Sequence, residues 1–88
     1  MRSLNEILIV IKEKHLEDIE ISKKLDLELY GLCTLSFKLL SINENRLFRN
    51  YLKKVENKEL NKYLWSRKNT NTKRLEWLNK HIELTKEL

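Results

Sequence analysis

Apolar residues recur at helical spacing in four separate stretches of this chain, and this periodicity restricts the fold more than any other feature of the sequence. Four residues of the first stretch share one helix face: Leu4, Ile7, Leu8 and Ile11. Ser3 and Glu6 have the spacing of a capping box, in which each side chain accepts a hydrogen bond from the other residue's backbone N–H. We therefore expect a first helix from Leu4 to about His15.

The second stretch predicts a central helix over roughly Leu27 to Leu40. Cys33 and Phe37 widen its apolar stripe, so we expect neighbours on more than one side. Gly31 inside it costs about 1 kcal/mol relative to alanine, which indicates a close approach by another backbone or a ligand. The preceding residues, Glu17 to Lys24, fit either a connector or a short helical turn.

Two further helices are expected toward the end of the chain. Asn43 is placed to cap a third helix. This helix has two apolar rows, one formed by Leu47, Tyr51 and Val55 and the other by Phe48 and Leu52. Periodicity disappears from Asn57 to Thr72, so we expect a long loop there, with Thr72 capping the last helix. The seam of that helix is Leu75, Leu78 and Ile82. These elements predict a single all-α domain over residues 1–88, a compact bundle of about four helices with a long loop before the last one.

The size and composition of the chain restrict its class. A domain of 88 residues buries only about 60 to 65% of the surface that its unfolded chain exposes, so we expect a homo-oligomer that enlarges a thin core. The charged fraction of 35% and the lack of a long apolar run argue against a membrane span. The longest apolar run, Ile7 to Ile11, is too short for a secretory signal, and a single cysteine fits a reducing compartment. We therefore expect a cytoplasmic protein.

The charge is distributed unevenly along the chain. Residues 1–44 carry six Lys or Arg against eight Asp or Glu, and residues 45–88 carry twelve against five, which gives net charges of −2 and +7. Between Arg46 and Arg74 there are ten basic residues against only Glu56 and Glu59. This stretch is the electrostatic centre of the molecule, and we expect it to attract an anionic partner.

Aromatic and basic residues alternate around the expected loop. The candidate ligand-binding residues are Tyr63, Trp65, Arg67, Lys68, Lys73, Arg74 and, from the central helix, Gly31. Aromatic faces stack on nucleobases, and guanidinium groups hold phosphate through paired hydrogen bonds. Trp65 or Tyr63 is expected to stack on a base while the cations meet the phosphates. The same aromatics also fit a structural role that pins a loop onto a small core, with the cations in water.

Other patterns point less clearly to a site. The basic face of the third helix, formed by Arg46, Arg49, Lys53 and Lys54, fits either a nucleic-acid backbone or a solvated surface, and no recognition motif accompanies it. Cys33, His15 and His81 have no partner groups at the spacing of a catalytic centre. No metal or cofactor motif is present either, so we expect a non-enzymatic protein without a metal or cofactor.

Two segments resemble a class of short phage open reading frames. They are Tyr30-Gly31-Leu32-Cys33 and Tyr63-Leu64-Trp65 followed by Arg74-Leu75-Glu76-Trp77-Leu78-Asn79-Lys80-His81-Ile82, and Ile42-Asn43-Glu44 between them resembles the middle helix of that class. The class has a proline where this chain has Ser66, so we expect a looser loop here and a site that differs from that of the class. The resemblance implies a phage-encoded accessory protein that binds molecules in the host cytoplasm, often against host defence.

Three functions are compatible with these features. The first is a sponge that sequesters an anionic, cyclic nucleotide signal of bacterial immunity, by analogy with other small phage proteins. The second is an inhibitor that docks on a host defence protein complex. The third is a small DNA-binding regulator, for which duplex binding would depend steeply on salt.

Overall fold

The computed structural model describes residues 1–25, 39–55, 57–66 and 71–87. These ranges contain four helices: α1 (Leu4–Leu25), α2 (Ile42–Lys54), α3 (Lys58–Ser66) and α4 (Asn71–Thr85). No strand occurs within them, and the predicted small all-α bundle is confirmed. None of these helices is long and apolar enough to cross a membrane. The expected helix over Leu27 to Leu40 lies outside the described ranges except for Leu39 and Leu40, which form a turn before α2, and Gly31 and Cys33 lie outside them too.

Both α1 and α2 begin with a capping box. Glu6 N donates to Ser3 Oγ at 3.2 Å and Ser3 N donates to Glu6 Oε1 at 3.0 Å, so the predicted start of the first helix is confirmed. The prediction that Asn43 caps α2 is wrong, because the N-cap residue of this helix is Ser41. Ser41 exchanges the same two hydrogen bonds with Glu44, at 2.9 and 3.1 Å, whereas a cap at Asn43 has no glutamate or glutamine three residues later.

The first helix is longer than predicted. It continues beyond His15 to Leu25, so residues 17–24 are neither a connector nor a single turn. An ion pair of 3.1 Å between Lys14 and Asp18 joins successive turns across the expected end. No proline or glycine stands between that pair and Leu25 to interrupt the helix.

The prediction of a loop from Asn57 to Thr72 is wrong for the first part of that segment, where residues 58–66 form α3. Asn61 is only 2% exposed, and this polar residue stands at an inward position where a helix usually shows an apolar one. The hydrophobic period therefore disappears from the sequence although the helix forms. Asn57 adopts a left-handed backbone conformation (φ 57°) that turns the chain from α2 into α3. Thr72 lies within α4, not at its cap.

The core lies between all four helices. Helix α1 packs mainly against α4, α2 contacts α1 and α3, and α3 contacts α4. The buried apolar residues are Ile7, Leu8, Ile11, Leu40, Phe48, Leu52, Trp65, Leu78 and Ile82. Burying each large side chain contributes about 1.5 to 3 kcal/mol relative to exposing it. The radius of gyration is 12.6 Å, near the ~12 Å of a compact domain of this length.

Polar contacts tie distant parts of the chain together. Asn5 Nδ2 donates to Ile82 O at 2.9 Å and to Thr85 Oγ1 at 3.1 Å, which fixes α1 along α4. Arg2 Nε and Nη2 donate to the Glu44 carboxylate at 2.7 and 3.1 Å. This guanidinium, together with the N–H groups at the start of α2, holds the pKa of Glu44 well below its usual range. The N-terminal segment is thereby attached to the start of α2.

Candidate anion-binding pocket

Trp65 lies inside an aromatic cluster. Its ring makes edge contacts with Phe48, Trp77 and His15 at centroid distances of 5.1, 5.6 and 5.7 Å, and the residue is 3% exposed. The guanidinium carbon of Arg74 lies 4.7 Å from the centroid of the Trp65 ring. Contacts of these kinds each contribute about 0.5 to 1.5 kcal/mol. The exposed stacking face expected of Trp65 is therefore absent from this arrangement, in which Arg74 covers the ring.

The other predicted site residues differ widely in exposure. Arg74 is 1% exposed and its Nε donates to Leu64 O at 3.2 Å, so this side chain connects the start of α4 to the end of α3. Tyr63 is 51% exposed, and Lys73 is exposed near the start of α4. Three of the predicted residues lie outside the described ranges, and their roles stay predictions: Gly31, Arg67 and Lys68.

A pocket of about 390 Å³ lies between α2 and α3. Its lining consists of Arg49, Leu52 and Lys53 from α2 and Lys58, Glu59, Lys62 and Trp65 from α3. Leu52 and Trp65 are both buried and form its apolar inner wall. The α2 residues are spaced i, i+3, i+4, and Lys58, Lys62 and Trp65 are spaced i, i+4, i+7. Each helix therefore turns one face toward the same cavity.

The lining of this pocket is strongly cationic. Four of its side chains are basic and one, Glu59, is acidic, which gives a net charge of +3. None of the ion pairs in the described part of the chain involves Arg49, Lys53 or Lys58. Because these like charges repel one another and are not neutralised there, the potential in the pocket favours an anion.

Two buried donors on the pocket lining lack an acceptor among the described residues. They are Arg49 Nε and Trp65 Nε1, and both atoms are shielded from solvent. A buried donor without a partner costs about 1 to 3 kcal/mol. Such groups are uncommon in native proteins, and each one calls for a physical explanation.

The two histidines belong to the core packing. His15 is 1% exposed and its Nδ1 donates to Ile11 O at 2.8 Å. Burial lowers the pKa of His15, and the Arg74 cation lowers it further, so the ring is neutral near pH 7. Tyr51 Oη lies 2.6 Å from His81 Nδ1, a hydrogen bond between α2 and α4. Within the described ranges, no three His, Cys, Asp or Glu side chains form a group that could hold a metal ion.

Lys58 and Lys62 are the pocket residues that sequence reasoning did not identify. They fall in the segment expected to be a loop, where side-chain spacing carries no directional information. Once the segment is helical, the i, i+4 spacing of the two lysines and the position of Trp65 three residues later place all three on one face. Arg49 and Lys53 were expected only as part of a nucleic-acid-binding or solvated face.

Comparison with protein-family models, curated proteins and solved structures finds no match for this chain. The resemblance to short phage reading frames accordingly stays a prediction.

Proposed function

We propose that this chain is a non-enzymatic binding protein that captures a small anionic ligand of the nucleotide type in the pocket between α2 and α3. The observation that carries the proposal is the convergence of four basic side chains from two helices on one cavity with an apolar inner wall. Small-ligand sites combine these features, an apolar lining and a few placed polar groups.

The size and charge of the pocket match such a ligand. Its volume of about 390 Å³ is at the lower end of the ~300 to 1,000 Å³ of small-ligand pockets. A phosphate group relieves the repulsion among Arg49, Lys53 and the two α3 lysines, and the Leu52 side chain offers apolar contact to a ring. The proposal thus moves the phosphate-binding role from the predicted Arg67, Lys68 and Arg74 to the pocket cations.

The biological setting of the proposal comes from the sequence. A phage-type accessory protein that retains a cyclic nucleotide signal would act by sequestration in the host cytoplasm, and self-association would provide several pockets per particle. Neither the cyclic form of the ligand nor the oligomer is needed for the pocket to bind an anion.

Calorimetric titration tests ligand capture. Adenosine, AMP, cyclic AMP and cyclic di-AMP are titrated into the purified protein, and we expect at least one phosphate-bearing compound to bind while adenosine binds more weakly. Lys53→Ala should weaken that binding about five- to tenfold. Lys54→Ala is the matched control, because Lys54 is an exposed neighbour on α2 outside the pocket lining. A flat response across the panel, or equal effects of the two variants, would reject the proposal.

Duplex DNA is the second candidate, and the exposed basic residues of α2 favour it. Arg46, Lys53 and Lys54 are all exposed and lie on one helix. Binding of this kind depends on phosphate neutralisation and falls steeply with salt. A gel shift at low salt that Arg46→Ala and Lys54→Ala both weaken would support DNA binding over small-ligand capture.

A further inference from the structure

The pocket contains two N–H groups whose pairing differs from that of comparable groups elsewhere in the chain. Trp77 Nε1 donates to Asn61 Oδ1 at 2.8 Å, whereas Trp65 Nε1 has no acceptor among the described residues. Arg2 Nε donates to a carboxylate at 2.7 Å, whereas the buried Arg49 Nε has no such partner in the same ranges. The two unpaired donors both belong to side chains that line the pocket.

The surroundings of Trp65 restrict what its ring can offer to a ligand. The residue is 3% exposed, with the Arg74 guanidinium over the ring and Phe48 and Trp77 in edge contact with it. A base has no free face on which to stack. The indole N–H is the part of this side chain that still requires a hydrogen-bond partner, and it can only donate.

We propose that Arg49 Nε and Trp65 Nε1 together bind an oxyanion group at the inner end of the pocket, and that Trp65 determines specificity for it. The inference rests on the proposed function and names the part of the ligand that enters first. Two donors with no acceptor in the described part of the chain are complementary to the oxygens of a phosphate, and the surrounding cations add the charge preference. The organic part of the ligand then lies toward the pocket opening, beside the lysines.

Access to these donors requires a local movement. Both nitrogen atoms are shielded from solvent in this structure. An oxygen atom therefore reaches them only after side chains at the pocket rearrange, and the partly exposed Arg49 side chain is of the long kind that moves readily at a surface. Binding of the anion would satisfy both N–H groups and so stabilise the rearranged pocket.

Two-dimensional NMR of the indole N–H groups tests the inference directly, because the chain has two tryptophans. With inorganic phosphate or AMP we expect the Trp65 indole proton to shift downfield as it gains a charged acceptor. The Trp77 signal should stay in place, since its N–H is already bonded to Asn61. Adenosine, which lacks the oxyanion, should not move the Trp65 signal.

Affinity measurements on variants provide the second test. Trp65→Phe removes the N–H and keeps an aromatic ring, and it should weaken AMP about tenfold or more. Trp77→Phe is the matched control, with an expected loss of less than about threefold. Arg49→Lys keeps the charge but lacks Nε, so it should also weaken AMP.

The outcomes separate this inference from the proposed function. If AMP binds and Lys53→Ala weakens it, but the Trp65 signal does not move, the pocket function stands and the inference is overturned. If neither phosphate nor AMP binds at all, both fail. Should Trp65→Phe not fold, the spectra of the unmodified protein still decide the question.

Discussion

Replacing Asn61 with alanine tests whether one buried amide group holds three helices together around the pocket. Asn61 lies in α3, where Nδ2 donates to Leu52 O of α2 at 3.3 Å and Oδ1 accepts from Trp77 Nε1 of α4 at 2.8 Å. The residue is 2% exposed. In the alanine variant, both the indole N–H and the carbonyl lose a partner in an environment that offers little water.

The expected magnitude follows from these two groups. Each buried polar group left unsatisfied costs about 1 to 3 kcal/mol. Leu52 O is in the last turn of α2, where carbonyls find other hydrogen-bond partners more easily. We therefore expect a cost of about 1 kcal/mol for this carbonyl and about 2 kcal/mol for the Trp77 indole N–H. The free energy of unfolding should fall by about 3 kcal/mol, which corresponds to a melting temperature roughly 12 to 24 °C lower for a domain of this size.

Urea unfolding followed by circular dichroism measures the effect. Asn50→Ala, at an exposed position of α2, is the control and should change stability by less than about 0.5 kcal/mol. In a Trp77→Phe background the indole donor is gone, so Asn61→Ala should cost at least about 1 kcal/mol less than it does alone. If Asn61→Ala matches the control, or if the two changes are additive, the argument from unsatisfied groups is refuted.

Three further predictions concern pH and capping. Because burial lowers the pKa of His15 in the folded protein, the unfolded chain binds a proton at His15 more readily, and the free energy of unfolding should fall as the pH drops below 6.5. In urea titrations His15→Gln should flatten this decline. An unchanged dependence of stability on pH in that variant would contradict the prediction. Because the pKa of Glu44 is lowered in the folded protein, its pairing with Arg2 stabilises the fold above pH 4.5 and loses this effect on acidification. The difference in melting temperature between the wild type and Glu44→Gln should therefore shrink below pH 4.5. A difference that stays constant with pH would exclude this linkage. Ser41→Ala should cost about 1 kcal/mol in urea unfolding and Asn43→Ala less than half of that, and the reverse order would show that Asn43 is the effective cap.

The sequence predicts helices well where the inward positions are apolar. Ser3, Glu6 and the apolar face that includes Ile7 and Leu8 locate the start of α1, and all of this information is local. The burial of Phe48 in α2 also follows from local apolar spacing, since Phe48 and Leu52 form one row of that helix. Periodicity reports a helix only when burial and hydrophobicity coincide.

Where polar residues face inward, the sequence pattern does not indicate the helix or its contacts. Asn61 at a buried position of α3 removes the period and makes a helix resemble a loop. Arg74 is buried because Leu64 O and the Trp65 ring lie beside it, and neither contact is visible before α3 and α4 are packed. The pocket is missed for the same reason, since it exists only between two helices of which one was not recognised.

The left-handed turn at Asn57 has a consequence for the order in which the molecule is assembled. It places α2 and α3 side by side from neighbouring segments, so the residues that line the pocket between them all fall within one stretch of sequence, residues 49 to 65. The seam between α1 and α4 instead joins Asn5 to Thr85, 80 positions apart. Closing the short hairpin costs much less loop entropy than closing the whole chain. The pocket between α2 and α3 can therefore form as a local unit before the two ends of the polypeptide meet.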